Sequence, residues 1–183
     1  MPGGIARWNL VVDYLRLRSA IFIDKIGWDL NTTEEIEYEQ YDVGAGTVYI
    51  IGHENGRVIG GARLVRCDNS MGNGRLKNTY MINDAFHGKI GLPPNICWSA
   101  PPTDDKSWEL SRLVAIENKG LVGKQLLDTA NAYIKLHGGE RCLFLGWHAF
   151  MRMAKRYGYK PKQLGDVVQD EGKPYVAFEC DII

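Results

Sequence analysis

Neither charge dominates this sequence: 22 Lys and Arg stand against 22 Asp and Glu in 183 residues. No global field points to nucleic acid or to a membrane surface, so a charged ligand has to be met by a local cluster. Cysteine and histidine are sparse and dispersed. Cys67, Cys97, Cys142 and Cys180 form no C-x-x-C pair, and His53, His87, His137 and His148 no H-E-x-x-H. Spacing thus indicates neither a metal site nor a redox dithiol, no cofactor is expected, and the thiols are expected to be free and buried or half-buried. There is no apolar run long enough to span a bilayer, and Met1-Pro2-Gly3-Gly4 does not open a basic, apolar and cleavable leader. The expected compartment is the cytosol. Also missing are G-x-S-x-G, a Cys and His pair at nucleophile spacing, and a Gly-rich phosphate loop, which leaves covalent catalysis and phosphoryl transfer without support.

What is present fits one compact domain over residues 1–183, since 45% hydrophobic residues suffice for a sizeable core. Trp8, Val12, Leu15, Ser19, Phe22 and Ile26 recur every three or four residues and predict an amphipathic helix. Arg18 lies on the edge of that stripe, as a solvated helix edge or as one wall of a charged pocket roofed by Phe22 and Trp28. Glu39 and Asp42 are its candidate partners, because a guanidinium beside apolar surface is costly without an acid. Asn31–Glu35 is turn-like, and Ile36–Asp42 carries the acids on a loop that folds back over the helix. Two β-branched runs, Thr47–Ile51 and Val58–Val65, flank Asn55-Gly56 and predict a hairpin bearing Arg63. Gly60-Gly61 inside it signals a bulge, a close approach to a ligand, or simple curvature of the sheet.

Tyr80–Phe86 reads as a short helix. Gly91–Asp105, with four prolines, reads as an irregular, mobile segment, and Ser107–Ile116 as a strand. Strict alternation would point Glu109 and Arg112 to opposite faces. Gly120 and Gly123 precede a helix with the stripe Val122, Leu126, Ala130, Tyr133 and Ile134, and mark either a plain turn or an anion-binding approach. A strand at Arg141–Gly146, a helix at His148–Tyr157 stopped by Gly158, and a closing strand at Tyr175–Ile182 follow.

Nine residues stand in order: Arg18, Phe22, Trp28, Glu39, Asp42, Arg63, Phe86, Glu109 and Arg112. Their types and spacing resemble the acyl-homoserine lactone synthases, the LuxI-type autoinducer synthases of bacterial quorum sensing, with Glu39 where that family more often has Asp. The resemblance implies a three-layer α/β/α sandwich with a mixed sheet, N-acetyltransferase-like, with a V-shaped gap between central strands. It also implies S-adenosylmethionine as acyl acceptor and acyl-acyl carrier protein or acyl-CoA as donor. If Glu109 and Arg112 serve one site, their strand must bulge or splay between them. Three arginines, Arg18, Arg63 and Arg112, balance Glu39, Asp42 and Glu109, a set suited to a zwitterionic ligand.

On this reading Glu109 and Arg112 are the catalytic candidates, Glu109 as general base or else as a structural partner of Arg112 or Arg63. Arg18, Phe22, Trp28, Glu39, Asp42, Arg63 and Phe86 bind the acceptor and order the pocket. Leu127, Ala130, Phe144, Trp147 and Phe150 are expected to wall an acyl pocket, or Phe144 and Trp147 are simply core. Phe144 replaces the Thr shared by makers of 3-oxo lactones, so the expected donor lacks a 3-oxo group and is short, branched or aryl. Arg152, Lys155, Arg156, Lys160 and Lys162 form a basic patch, either a solvated helix face or a dock for the donor carrier. Two other readings stand beside the synthase: a CoA-dependent N-acyltransferase acting on another amine, and a non-catalytic binder of the same fold.

Overall fold

The chain is described by a computed structural model over residues 3–30, 32–33, 35–44, 46–74, 77–116, 121–170 and 172–183. Asn31 and Glu34 of the turn-like stretch, and Gly120, lie outside the described residues. Helix α1 spans Gly3–Arg18 and continues as a π-helix over Ser19–Lys25. Among the described side chains its packed stripe begins at Leu10, and Trp8 is 67% exposed, so the predicted stripe starts too early. The π-helix ends at Gly27, whose φ of +83° suits a residue without Cβ. This turn brings the Trp28 amide back to the Phe22 carbonyl at 2.9 Å. Two short strands, β1 (Thr32–Thr33) and β2 (Ile36–Glu37), pair antiparallel, and a 3-10 turn at Gln40–Asp42 closes the loop.

Strands β3 (Thr47–Glu54) and β4 (Arg57–Arg66) form the predicted hairpin. Asn55 and Gly56 take φ of +49° and +86°, the left-handed pair that a two-residue turn requires. Helix α2 is Met81–Phe86, β5 Ser107–Ala115, α3 Leu121–Leu136, β6 Arg141–Trp147 and α4 His148–Arg156. Two short strands that periodicity did not reveal, β7 (Lys162–Gln163) and β8 (Val168–Asp170), precede β9 (Lys173–Asp181). The mixed sheet runs β3-β4-β5-β6-β9-β7, with β8 also on β9; among the described residues only β5 and β6 pair in parallel.

Alternation along the strands sorts their side chains into two layers. One sheet face, with Ala62, Leu64, Leu110, Phe144 and Phe178, packs with Leu127 and Ala130 of α3 and Met151 and Ala154 of α4. The other meets α1 through Tyr14, the π-helix that continues it through Phe22, and α2 through Ile82 and Ala85. The result is the three-layer α/β/α sandwich. Gly123 lies inside α3 rather than before it. The proline-bearing segment is tied down: Ile96 is fully buried, Trp98 N–H donates to Leu164 O at 2.8 Å and Asp166 N–H to Asn95 O at 3.1 Å. All four cysteines are free and buried.

The glycine pair serves helix packing. A Cβ on Gly61 would lie 2.5 Å from the Tyr14 ring, and one on Gly60 2.7 Å from the Val114 carbonyl. Because Gly61 lets Tyr14 lie against the sheet, the Tyr14 hydroxyl reaches Arg112 O at 2.7 Å and ties α1 to β5. Gly61→Ala is therefore expected to cost about 1–3 kcal/mol by overpacking, read as a lower urea midpoint, with part of the loss recovered in Gly61→Ala/Tyr14→Leu.

Candidate active site

Two departures from regular sheet create the site. Between Gly61 and Arg63 the β4–β5 register slips, so that Arg112 and Leu113 stand opposite Ala62 alone. Arg112 sits at this bulge with φ +53°, a left-handed conformation that is rare for a long side chain. The bulge cancels the alternation that would have sent Arg112 to the α3 side, and turns it to the α1 side with Arg63. Farther along, the β5–β6 ladder ends at Leu110 opposite Phe144 although both strands continue. Their parting is the V-shaped gap.

Arg18, fully buried, donates to Asp42 through two nitrogens at 2.8 and 3.0 Å and also to Glu37. Arg63, equally buried, reaches Glu39 at 2.6 Å, Asp42 at 3.1 Å and the Ser111 hydroxyl at 3.1 Å. Arg112 meets Glu37 at 3.2 Å and Glu39 at 2.9 Å. Asp42 also accepts the Tyr49 hydroxyl at 2.8 Å and the Glu39 amide at 2.9 Å. Three guanidiniums and three carboxylates thus alternate around a closed network. Burial opposes ionisation of Asp42, yet the hydrogen bond from Arg18 and the charges of Arg63 and Arg18 hold its pKa well below the ordinary carboxylate range. Carboxylate oxygens of Glu37, Glu39 and Asp42 lie within 4.8 Å of one another, and the cations already facing them are these arginines.

Glu37 is the member that sequence reading missed, and it takes the place given to Glu109 in the charge balance. Its signal was the i, i+2 spacing with Glu39, which puts both acids on one side of an extended segment. Above the network Phe22 and Trp28 stack at 4.6 Å with planes 3° apart. The Arg112 guanidinium lies 5.6 Å from the Phe22 centroid and 5.8 Å from that of Trp28, within cation–π range.

Glu109 stands on the same sheet face but pairs with neither Arg63 nor Arg112. Its fully buried carboxylate accepts the amides of Met81 at 3.3 Å and Ile82 at 2.8 Å, in the first turn of α2. Burial pushes its pKa up to about 7, against the lowering effect of those amides and of the Arg63 charge. Asp84 secures α2 from the other side, accepting the Tyr41 hydroxyl at 3.1 Å and the Thr79 amide at 3.0 Å. Phe86, at the end of α2, and Trp28 both pack on the cluster of Val65, Tyr80 and Ile82.

Of the expected acyl wall, Leu127, Ala130, Phe144 and Phe150 line one cavity between the sheet and α3 and α4, joined by Leu110 and Phe178. Trp147 does not line it: at the end of β6 it is 42% exposed and borders a separate groove with His148, Arg152, Lys173 and Pro174. In the basic patch Arg152, Lys155, Arg156, Lys160 and Lys162 are all exposed, and Lys162 also meets Asp181 at 3.2 Å and Glu179 at 3.8 Å.

The sequence model of the autoinducer synthase family matches residues 6–172. This chain belongs to that family. The acyl-homoserine-lactone synthase of Pseudomonas aeruginosa is 29% identical over 109 residues, 58% of this chain and 46% of that protein; the match thus spans about half the length of that curated relative. The Ralstonia solanacearum acyl-homoserine-lactone synthase is 26% identical over 177 residues, 90% of this chain and 78% of its own. The fold matches that of BjaI, a CoA-dependent acyl-homoserine lactone synthase solved with SAM and isopentyl-CoA (TM-score 0.82, 20% identity, 99% of this chain, 80% of BjaI). TofI, solved with an inhibitor and MTA, has a TM-score of 0.76 and 26% identity over 100% of this chain and 86% of its own. Among the described residues no helix is long and apolar enough to cross a membrane.

Removing Glu37 leaves Arg18 and Arg112 short of a partner in a dry site. Glu37→Ala is expected to cost about 3–5 kcal/mol in denaturant unfolding, and Glu39→Ala less, since water reaches the Glu39 side chain. For Glu109 the folded carboxyl keeps its proton to higher pH than the unfolded one, so the native state binds more protons between the two pKa values. The stabilisation linked to Glu109 is complete below the unfolded value of 4.5 and is lost as pH rises through about 7. Thermal melts across that window should show wild type losing stability relative to Glu109→Gln; parallel melting curves would contradict the shift.

Proposed function

We propose that the chain transfers an acyl group from a thioester to the α-amine of S-adenosylmethionine and closes the product to an N-acyl-homoserine lactone, with residues 1–183 acting as one synthase domain. The observation that carries this reading is the meeting of the arginine and carboxylate network with the Phe22–Trp28 stack on the sheet whose strands part at Leu110 and Phe144. A ligand with a carboxylate, an α-ammonium, a sulfonium and an adenine needs cations, anions and aromatic faces together. The MTA bound to TofI supports the reading, because methylthioadenosine is what S-adenosylmethionine leaves when its γ-carbon is attacked.

In this mechanism Arg18, Arg63, Glu39 and Asp42, with Glu37, hold the pocket rigid, and Arg112 faces the acceptor's carboxylate from beneath the aromatic pair. Phe22 and Trp28 receive the sulfonium and adenine, and Phe86 completes the apolar rim. The acceptor's amine has to lose a proton before it attacks. Glu109 takes that proton, directly or through one water, since a carboxylate titrating near neutrality is matched to the task. The neutral amine attacks the thioester carbonyl, and the tetrahedral oxyanion is held by backbone amides along the parted edges of β5 and β6. Collapse expels the thiol and leaves an amide. The methionine carboxylate then displaces methylthioadenosine at the γ-carbon and closes the lactone, with one proton released overall. The donor arrives on acyl carrier protein or CoA, whose negative charge docks on Arg152, Lys155, Arg156 and Lys160.

The test is a coupled measurement of methylthioadenosine and lactone by mass spectrometry, with S-adenosylmethionine and a panel of acyl thioesters. Wild type should yield both in equal amounts, and Glu109→Gln should lose at least about 100-fold in rate, the contribution expected of a general base. Thiol release that depends on a second amine added to the assay, with no methylthioadenosine formed, would identify an acyltransferase acting on another amine, and soluble, folded protein inactive with every donor would sink the proposal.

A further inference from the structure

The apolar cavity on the α3 and α4 side begins at Leu110 and Phe144, the last paired rung before β5 and β6 part. A thioester carbonyl held in the gap would pass its acyl tail into this space. Its volume is only about 20 Å³, room for roughly one water. Three phenylalanines fill the rest. Phe144 stacks on Phe178 at 5.0 Å with planes 14° apart, and Phe150 meets them edge-on at 5.7 and 5.8 Å.

Their freedom to move differs. Phe178 is fully buried on β9, directly opposite Phe144 in the ladder, and β9 is paired on its other side by β7 and β8. Backbone hydrogen bonds on both edges hold it in place. Phe150 is half-buried on α4, beside Gly146, where a Cβ would lie 3.2 Å from its ring. It can swing outward, so a compact group gains space by moving Phe150, whereas a long chain would have to part the Phe144–Phe178 pair to reach the space lined by Ile134, Cys142 and Cys180. None of the three rings offers a hydrogen bond to a 3-oxo carbonyl, and the hydroxyl in the lining is that of Tyr159. The Asn131 amide at the rim is already engaged, donating to Ile183 O at 2.6 Å and accepting its amide at 3.1 Å.

We propose that Phe178, on the same rung as Phe144, narrows the mouth of the acyl cavity, so that with Phe144 and Phe150 it restricts this chain to a compact acyl group, branched or carrying a single aromatic ring. This rests on the synthase reading above. An aryl or branched group would also meet ring edges and faces in the arrangements that aromatic side chains favour.

The test measures kcat/KM by methylthioadenosine release for isovaleryl-, phenylacetyl-, octanoyl- and 3-oxooctanoyl-CoA, with wild type, Phe178→Leu and Phe150→Ala. The last of these enlarges the cavity from its exposed side if the β9 variant does not fold. Wild type should favour a compact donor over both eight-carbon chains by at least about 10-fold, and either variant should narrow that ratio by about 10-fold or more, the selectivity that pocket volume commands. Wild type preferring octanoyl-CoA or its 3-oxo analogue would overturn the proposal while leaving the synthase reading intact. So would variants that slow every donor alike. Failure of all four acyl groups to release methylthioadenosine, each offered on CoA and on acyl carrier protein to folded protein, would overturn the synthase reading and this proposal together.

Discussion

Three buried guanidiniums have to be neutralised away from water, and much of the first half of the chain is arranged around that need. Arg18 and Arg63 are fully buried, and an isolated ion there costs several kcal/mol. Glu37, Glu39 and Asp42 meet the cost only because they come from one segment folded back over α1. The 3-10 turn at Gln40–Asp42, with the Glu39 amide bound to Asp42, fixes the spacing of two of them. Tyr49 and Ser111 satisfy further polar atoms by hydrogen bonds, while the buried Arg63 Nη1, which makes none, is met by the charge of Asp42 at 3.1 Å.

The backbone carries a second constraint. Arg112 joins the network only because β5 bulges, and the left-handed backbone this requires is strained for an arginine. Several contacts share the task of holding it: the Tyr14 hydroxyl on its carbonyl, Glu37 and Glu39 on its guanidinium, and the Phe22 and Trp28 rings above. Gly61 is the counterpart of that strain, since its missing side chain is what lets Tyr14 approach. Helix packing and site geometry are therefore coupled through one glycine and one tyrosine.

Opposite sheet faces divide the labour. One carries ions and a carboxyl pushed up to about 7 by burial, the other a tightly filled aromatic cavity, and the parted strands connect them. Glu109 and Leu110 are adjacent residues pointing to these two sides. Position on a central strand lets one segment serve both.

The chain's periodicities and turn residues determined much of the fold: the Asn55-Gly56 hairpin, the α3 stripe and the strand at 107–115 were legible because local hydrophobic pattern and turn chemistry dictate them. The charge beside the apolar stripe picked out Arg18 with Glu39 and Asp42, since such a charge demands partners; Arg63 and Arg112 entered the site through the family resemblance. Glu37 escaped because its local signal, the i, i+2 spacing with Glu39, does not tell a buried acid from a solvated one. The sequence likewise placed Trp147 in the acyl wall, where one step at the end of β6 instead turns it to the surface, and left Phe178 unremarked as an ordinary strand aromatic. Glu109's hold on α2, the bulge that turns Arg112 and the meeting of Phe144, Phe150 and Phe178 were decided only by tertiary structure. Each depends on residues from separate strands and helices, and pairing across a sheet is set by register and burial rather than by any neighbour in the chain.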